Sequence, residues 1–221
     1  MASAVDGEMR GARRRLVETL REKGINDLAV LRAFEMTPRH QFVPTGVRHR
    51  AYEDAPLPIG NGQTISQPYI VALMIDAAEI APGDRVLEVG AGSGYAAAVM
   101  SRIAASVVGI ERQHELVQMA QERVDRLGYR NVRIVEGDGT LGWPEGAPFD
   151  AILAAASGKH VPKPLVDQLA PGGRLVMPIG DPGDVQDLIK VVRRSDGTTV
   201  QESLGRVRFV PLIGQEGWRG D

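Results

Sequence analysis

From residue 85 onward, the chain alternates short apolar runs with amphipathic segments of helical spacing. The apolar runs, six or seven residues long, predict strands over 85–90, 106–111, 131–136, 149–155 and 173–179. The segments between them predict helices over 95–104, 113–127 and 164–169. Strands that are apolar along their whole length have both faces covered. The alternation therefore predicts an α/β fold with a Rossmann-like, doubly wound and mostly parallel sheet.

The two ends of the chain have different patterns. Helical spacing over 8–36 breaks at Gly24 and resumes behind Asp27, which is suited to cap a helix. Residues 37–66 look irregular, and a helix is predicted over 67–79. At the other end, 187–194 and 204–212 flank an Asp-Gly turn and predict a C-terminal β-hairpin.

These elements predict one domain over residues 1–221. We divide it into N-terminal helices and a loop (1–79), a sheet core (84–180) and C-terminal strands (181–221). The composition, 43% apolar and 24% charged, is that of a globular protein with a sizeable core.

Charge and composition narrow the function classes. The net charge of −2 does not indicate a basic surface that would bind nucleic acid. We interpret the arginine cluster at 10–15 as a solvated helix face. The chain has no cysteine, and no His/Asp/Glu spacing suggests a metal site. The N-terminus lacks the apolar core of a signal peptide, and no apolar run could span a bilayer. We therefore expect a cytoplasmic protein without a metal, a membrane or a nucleic-acid partner.

A glycine-rich turn follows the first predicted strand of the core. Residues 88–94 read EVGAGSG, and glycines there allow a sharp turn and close approach of a ligand. Nicotinamide dinucleotide sites use G-x-G-x-x-G, which makes an oxidoreductase one alternative. The compact G-x-G-x-G of Gly90, Gly92 and Gly94, together with Glu88, better suits a ligand without a pyrophosphate.

Acidic residues follow the next two strands at the same edge of the sheet. Glu111 is placed to accept hydrogen bonds from ribose hydroxyls. Asp138 and Gly139 close the third strand, where a carboxylate can accept from an adenine amino group. Acidic or glycine clusters at three successive strand ends predict a nucleoside site.

Several longer motifs carry a family resemblance across nearly the whole chain. They are PRHQFVP (38–44), YEDAPLPIGNGQTISQPYIVALM (52–74), VLEVGAGSGYAAAV (86–99), GIER (109–112), LGYRNVRIVEGDGTLGWPEGAPFDAI (127–152), QLAPGGRLVMPIG (168–180) and VRFVPLIG (207–214). The chain resembles the protein-L-isoaspartate (D-aspartate) O-methyltransferases, which are class I S-adenosylmethionine-dependent enzymes. GQTISQP and GDGTLGWP are its most specific motifs.

The resemblance implies a function and a cofactor. S-adenosyl-L-methionine would be the methyl donor and S-adenosyl-L-homocysteine the product. The acceptor would be the free α-carboxylate of an isoaspartyl residue in a damaged protein, whose methyl ester then closes to a succinimide without the enzyme. We expect a monomer. Two alternatives stay open, namely a methyltransferase acting on an ordinary aspartate in a dedicated peptide and a non-catalytic binding module.

Residues 60–72, GNGQTISQPYIVA, contain no side chain that could act as a base or hold a metal. A carboxylate acceptor needs neither, because with an intrinsic pKa of about 4 it is already ionised at neutral pH. Alignment alone can supply about 7–11 kcal/mol. By resemblance Ser66 is the active-site residue and orients the acceptor carboxylate; the alternative is that Ser66 only caps the following helix.

Other site residues follow from the matched motifs. The resemblance assigns substrate contacts to Thr64 and Ile65, and to Val207, Val210 and Leu212 on an extended strand that binds the peptide backbone.

Some residues depart from the family pattern or invite a separate hypothesis. Residues 154–161, AAASGKHV, differ from the family pattern, so Ser157, Lys159 and His160 are expected to alter the rim of the site.

Asn61-Gly62 is prone to deamidation, and we hypothesise that ageing converts Asn61 partly to isoaspartate, making the protein a substrate for another copy of itself.

Overall fold

The computed structural model describes residues 2–220, and side chains from residue 7 onward. Its centre is a seven-stranded sheet in the order β5-β4-β3-β6-β7-β8-β9. The strands are β3 (Arg85–Val89), β4 (Ser106–Glu111), β5 (Val132–Glu136), β6 (Phe149–Ala154), β7 (Leu169–Ile179), β8 (Gln186–Arg193) and β9 (Thr199–Val207). Strands β3 to β7 are parallel, whereas β8 and β9 each run antiparallel to the strand before them. The predicted fold class is confirmed.

Alternate residues of the central strands enter two separate cores. Val86 packs into the larger one and Leu87 into the smaller one, and both are buried. The larger core is covered by helices α1 (Ala2–Glu22), α2 (Leu28–Met36), α3 (Pro68–Ala77), α4 (Tyr95–Met100) and α5 (His114–Arg126); the smaller core lies under α6 (Lys163–Asp167). Covering on both faces explains why the strands are apolar throughout.

The N-terminal helices end and begin where the sequence predicts. Gly24, after α1, has φ of 99°, and the Asp27 side chain accepts from the N–H groups of Ala29 and Val30 at the start of α2. The segment 37–66, expected to be irregular, also contains a small antiparallel hairpin, β1 (Leu57–Gly60) and β2 (Gln63–Ile65). Asn61 and Gly62 form its turn with positive φ values of 50° and 70°.

The C-terminal hairpin exists, but its second strand was misplaced. It was expected over 204–212, whereas β9 covers Thr199–Val207. Most of β9 is exposed at the sheet edge, so it carries no apolar signal. The apolar run that follows leaves the sheet after Val207, and Pro211 within it has no N–H for a ladder. Val207 to Leu212 is therefore not one strand.

No helix among residues 2–220 has the length and apolar character needed to cross a membrane. The division of the domain into three segments stays a prediction.

Candidate active site

A cavity opens at the carboxyl ends of β3, β4 and β6. This is the point where the strand order reverses, since β4 lies on one side of β3 and β6 on the other. The β1–β2 hairpin, the start of α3 and α4, and the segment after β9 complete its walls. The cavity therefore lies where the sequence predicts a ligand.

The glycine turn after β3 forms one wall of the cavity. Gly90 and Gly92 line it, with left-handed φ values of 85° and 52° that other residues adopt only with strain. Gly94 does not line the cavity: it precedes α4 with φ of 82°, and a Cβ there would lie 3.4 Å from Ala120 and Val124. Gly94 thus serves close packing against α5, and its predicted cofactor contact stays a prediction.

Glu111 is held at the end of β4 by backbone donors. One carboxylate oxygen accepts from Gly92 N at 3.0 Å, and the other accepts from Arg112 N at 2.8 Å and Gln113 N at 3.0 Å. The side chain is buried and lines the cavity. It is therefore rigidly positioned at the strand end predicted for ribose recognition.

Glu88, predicted together with the glycine turn as part of the cofactor site, also lies in this wall. It is 3% exposed, it lines the cavity, and its Oε2 has no hydrogen-bond partner among the residues that the structure describes. Burial raises the pKa of Glu88 to about 8, and the negative charge of Glu111 adds to this rise. At neutral pH Glu88 is therefore mainly a neutral acid.

Of the two site residues predicted in the turn after β5, one lines the cavity and the other does not. Gly139 lines the cavity. Asp138 does not, because its carboxylate accepts from Thr140 N and Oγ1 and from Gln215 N at 2.8 Å. Asp138 fastens the C-terminal segment to the turn, and its predicted contact with adenine stays a prediction.

Ser66 lies in the cavity wall with Thr64 and Ile65. The residue that caps α3 is Gln67, and within the described part of the chain Ser66 Oγ makes no hydrogen bond. The cap is supplied from a distance: Asp54 accepts from Tyr69 N at 2.8 Å and from Gln67 Nε2 at 3.0 Å. The alternative that Ser66 only caps the helix is thus not supported, and Asp54 holds the loop by hydrogen bonds.

The segment after β9 closes the cavity on the side of β6. Val210 and Leu212 line it, whereas Val207 is buried elsewhere and does not. The segment is held by Ser157, whose N–H donates to Val210 O and whose carbonyl accepts from Leu212 N, both at 2.8 Å. Two backbone groups expected to bind a peptide are therefore already paired within the chain.

The departure from the family pattern at 154–161 has a structural explanation. Ser157 is fully buried, and its hydroxyl donates to Gly180 O at 2.7 Å, so it does not lie on the rim. Lys159 lies over the Trp218 ring at 4.7 Å. His160 is exposed. Only the last two remain near the surface.

Sequence reasoning missed several lining residues. Arg112 and Gln113 follow Glu111 directly, and Phe209 precedes Val210 in the crossing segment. The first two lie at the carboxyl end of a parallel strand, which was a usable signal. Phe209 had none, because the predicted strand placed it in the sheet. Among the residues that the structure describes, no group of three or more His, Cys, Asp or Glu side chains could hold a metal.

The site has the features that a nucleoside-bearing cofactor needs. A positioned carboxylate, a glycine turn that allows close approach, and an unpartnered buried acid all face one cavity. A sequence model of the family described as protein-L-isoaspartate(D-aspartate) O-methyltransferase matches residues 11–217. The chain belongs to this family.

Individual relatives agree over nearly the full length. Protein-L-isoaspartate O-methyltransferase 2 of Pelobacter propionicus is 56% identical over 201 residues, covering 91% of this chain and 89% of that protein. The enzyme of Methanoculleus marisnigri is 51% identical over 213 residues, covering 96% of each.

Solved structures give the same result. A protein-L-isoaspartate O-methyltransferase superposes with a TM-score of 0.85 at 33% identity, covering 93% of this chain and 67% of that one. A Plasmodium falciparum protein-L-isoaspartate O-methyltransferase, in complex with S-adenosyl-L-homocysteine, gives 0.77 at 30% identity, covering 91% and 98%. The expected fold, the methyltransferase class and S-adenosyl-L-methionine as cofactor are confirmed.

Proposed function

We propose that the chain transfers a methyl group from S-adenosyl-L-methionine to the free α-carboxylate of L-isoaspartyl residues in damaged proteins. The observation that carries this is the Ser66 hydroxyl, which has no partner among the described residues and lies in the wall of the same cavity as Glu111 and the glycine turn. The proposal includes D-aspartyl acceptors, which the family description names.

Three groups of this chain suit the cofactor. Glu111 would accept hydrogen bonds from the ribose, Gly90 and Gly92 would allow close approach of the cofactor to the backbone, and Gly139 would border the adenine. When bound, S-adenosyl-L-methionine supplies a methyl group on a sulfonium, which is already an excellent leaving group.

The residues on the acceptor side orient the acceptor carboxylate and exclude water. The acceptor carboxylate arrives ionised, so no proton has to be removed from it. Ser66 Oγ donates a hydrogen bond to one carboxylate oxygen and thereby aims the other at the methyl carbon. Val210 and Leu212 form an apolar wall that keeps water from this space. Thr64 and Ile65 lie beside Ser66 and would contact the peptide.

The repair itself would follow without the enzyme. A methyl ester of the α-carboxylate is a better target for the neighbouring backbone nitrogen than the carboxylate. The nitrogen forms a bond to the ester carbon, the bond from that carbon to the methoxy oxygen breaks, and the ester closes to a succinimide with loss of methanol, which takes up the nitrogen's proton. Water then opens this ring partly to an ordinary aspartate. We further propose that the protein acts as a monomer in the cytoplasm.

The decisive experiment compares two synthetic peptides that differ only in an isoaspartyl or an aspartyl residue. Labelled methyl groups should enter the isoaspartyl peptide and not its twin. Equal labelling of both, or preference for the aspartyl peptide, would favour the alternative enzyme acting on ordinary aspartate.

The role of Ser66 is tested with Ser66→Ala. Loss of one hydrogen bond to a charged group, about 1.5–3 kcal/mol, predicts a fall in kcat of about 10- to 150-fold. Binding of S-adenosyl-L-homocysteine should not change. Ser203→Ala on exposed β9, where the hydroxyl bonds to Asp187, is the matched control and should retain full activity. Full activity in Ser66→Ala would refute the assigned role.

A further inference from the structure

Glu88 is a buried acid to which the methyl-transfer steps described above assign no role. It lies in the middle of the sheet, on β3, between Gly109 of β4 and Leu153 of β6. An interior strand position normally takes an apolar residue, and Val86, two residues earlier on the same face, is one. A buried carboxyl with an unpartnered oxygen costs free energy unless something else satisfies it.

The surroundings of Glu88 offer one backbone donor and no positively charged side chain that shifts its pKa. A hydrogen bond from the Ala97 backbone on α4 lowers the pKa of Glu88, but burial raises it by more. From α3 the cavity is lined by Val71 and Met74, and from β6 by Leu153. From β4 comes the carboxylate of Glu111, which repels a second negative charge.

Two further ionisable groups line the same cavity. Arg112 follows β4 and makes no ion pair among the described residues, and it does not figure among the groups that shift the pKa of Glu88. Tyr95 is the only other, on α4, and burial raises its pKa far above neutrality. In the absence of ligand the proton therefore stays on Glu88 at neutral pH.

The strand order indicates which part of the cofactor meets this acid. The residues suited to the nucleoside follow β4 and β5, on one side of β3. The amino-acid end of the cofactor, which carries the α-ammonium group, would then lie on the side of β3 and Ser66, which line the same cavity. Glu88 is the acid on β3 that lines the cavity there.

We propose that Glu88 releases its proton to solvent when the α-ammonium group of the cofactor binds, so that cofactor binding is coupled to proton release. The O–H bond of the neutral carboxyl breaks, the proton passes to the buffer, and the carboxylate that remains pairs with the cation. Binding thus replaces a neutral acid by an ion pair and leaves no uncompensated charge.

Calorimetry of S-adenosyl-L-homocysteine binding tests this directly. The product has the same α-ammonium group and cannot be turned over. With a pKa of about 8, about nine in ten ligand-free sites carry the proton at pH 7. The binding enthalpies measured in phosphate and in Tris should therefore differ by about 0.9 times the difference between the ionisation enthalpies of the two buffers, because about 0.9 proton per site passes to the buffer. A difference of zero would overturn the proposal.

The pH dependence of the affinity provides a second readout. Only the ionised fraction of Glu88 is competent to bind, so the apparent affinity for S-adenosyl-L-homocysteine should rise about ninefold from pH 6 to pH 7 and level off above pH 8. Glu88→Gln keeps the shape of the side chain but has no proton to lose. Its affinity for S-adenosyl-L-homocysteine should therefore change less than about twofold between pH 6 and pH 7, and proton release on binding should disappear.

A control keeps the outcomes distinct. Glu122→Gln, an exposed glutamate on α5, should behave like the wild type. Equal proton release in wild type and Glu88→Gln would assign the proton to another group and overturn the proposal. If Glu88→Gln does not fold, a wild-type binding enthalpy that is the same in both buffers still overturns the proposal. A complete lack of binding by the wild type would overturn the assignment of the cofactor site as well.

Discussion

Replacing Asp54 by Ala should destabilise the protein and displace the loop that carries Ser66. Asp54 lies 13 residues before Gln67, yet it does for α3 what an N-cap does, by accepting from Tyr69 N at 2.8 Å. It also pairs with Lys23 of the N-terminal region. One carboxylate therefore connects three segments that are far apart in sequence.

The magnitude follows from these contacts. Loss of a helix cap costs about 1 kcal/mol. The ion pair with Lys23 is partly exposed and contributes about 0.2–1 kcal/mol. The loss of free energy of unfolding should therefore be about 2 kcal/mol when the Gln67 contact is included, or about 4–8 °C in Tm for a chain of this size.

The effect also has a defined pH dependence. Burial raises the pKa of Asp54, but hydrogen bonds from Lys23, Tyr69 and Gln67 together outweigh it, so the pKa lies below its ordinary value of 3.8. Ionised Asp54 therefore stabilises the fold above about pH 4, and this contribution disappears as the pH falls through the lowered pKa.

Urea unfolding of Asp54→Ala and of Lys23→Ala, at pH 7 and at pH 3, measures these contributions. Lys23→Ala removes the ion pair and the contact of the ammonium group with the Tyr69 ring, 5.1 Å away, but leaves the cap of α3 in place. It should therefore lose about 1 kcal/mol at pH 7, less than Asp54→Ala. If Asp54→Ala is no less stable than Lys23→Ala at pH 7, Asp54 does not cap α3 and the reasoning is refuted. At pH 3 the difference between Asp54→Ala and the wild type should be smaller than at pH 7.

Two further predictions concern the hairpin and the C-terminal segment. A Cβ on Gly214 would lie 2.0 Å from Asp138 Oδ1, so Gly214→Ala should cost about 1–3 kcal/mol in urea unfolding, while Gly46→Ala, with open space around it, should not; equal midpoints would contradict the tight packing. The Asn61 amide donates to Glu115 at 2.7 Å, so Glu115→Ala should speed conversion of Asn61 to isoaspartate on ageing. Peptide mapping of aged protein measures this, and only intact Asn61 in both proteins would reject the deamidation hypothesis.

The sheet core was predictable because burial on both faces leaves a clear apolar signal. The observed β4, Ser106–Glu111, has the predicted bounds, and the glycine turn and Glu111 lie where the parallel-strand rule places them. The β1–β2 hairpin was missed although Asn61-Gly62 is a strong hairpin signal. Its strands are only four and three residues long, too short for a periodic pattern.

Other features depend on partners that are distant in sequence. The role of Asp138 is decided by Gln215, 77 residues later, and the burial of Ser157 by a segment that leaves the sheet after Val207. Nothing local marks either contact. For β9 the local pattern gave a wrong prediction, because the sequence of an exposed edge strand is as polar as that of a loop.

The pairing of Ser157 with the crossing segment has a consequence for how the protein can be trimmed or tagged. The Trp218 indole donates to Ser157 O at 2.9 Å, three residues before the chain ends at residue 221. A shortened protein that ends at β9 would keep every strand of the seven-stranded sheet, yet it would lack one wall of the cavity. A tagged or shortened protein should therefore keep the segment after β9 intact, because Val210 and Leu212 of that segment line the cavity.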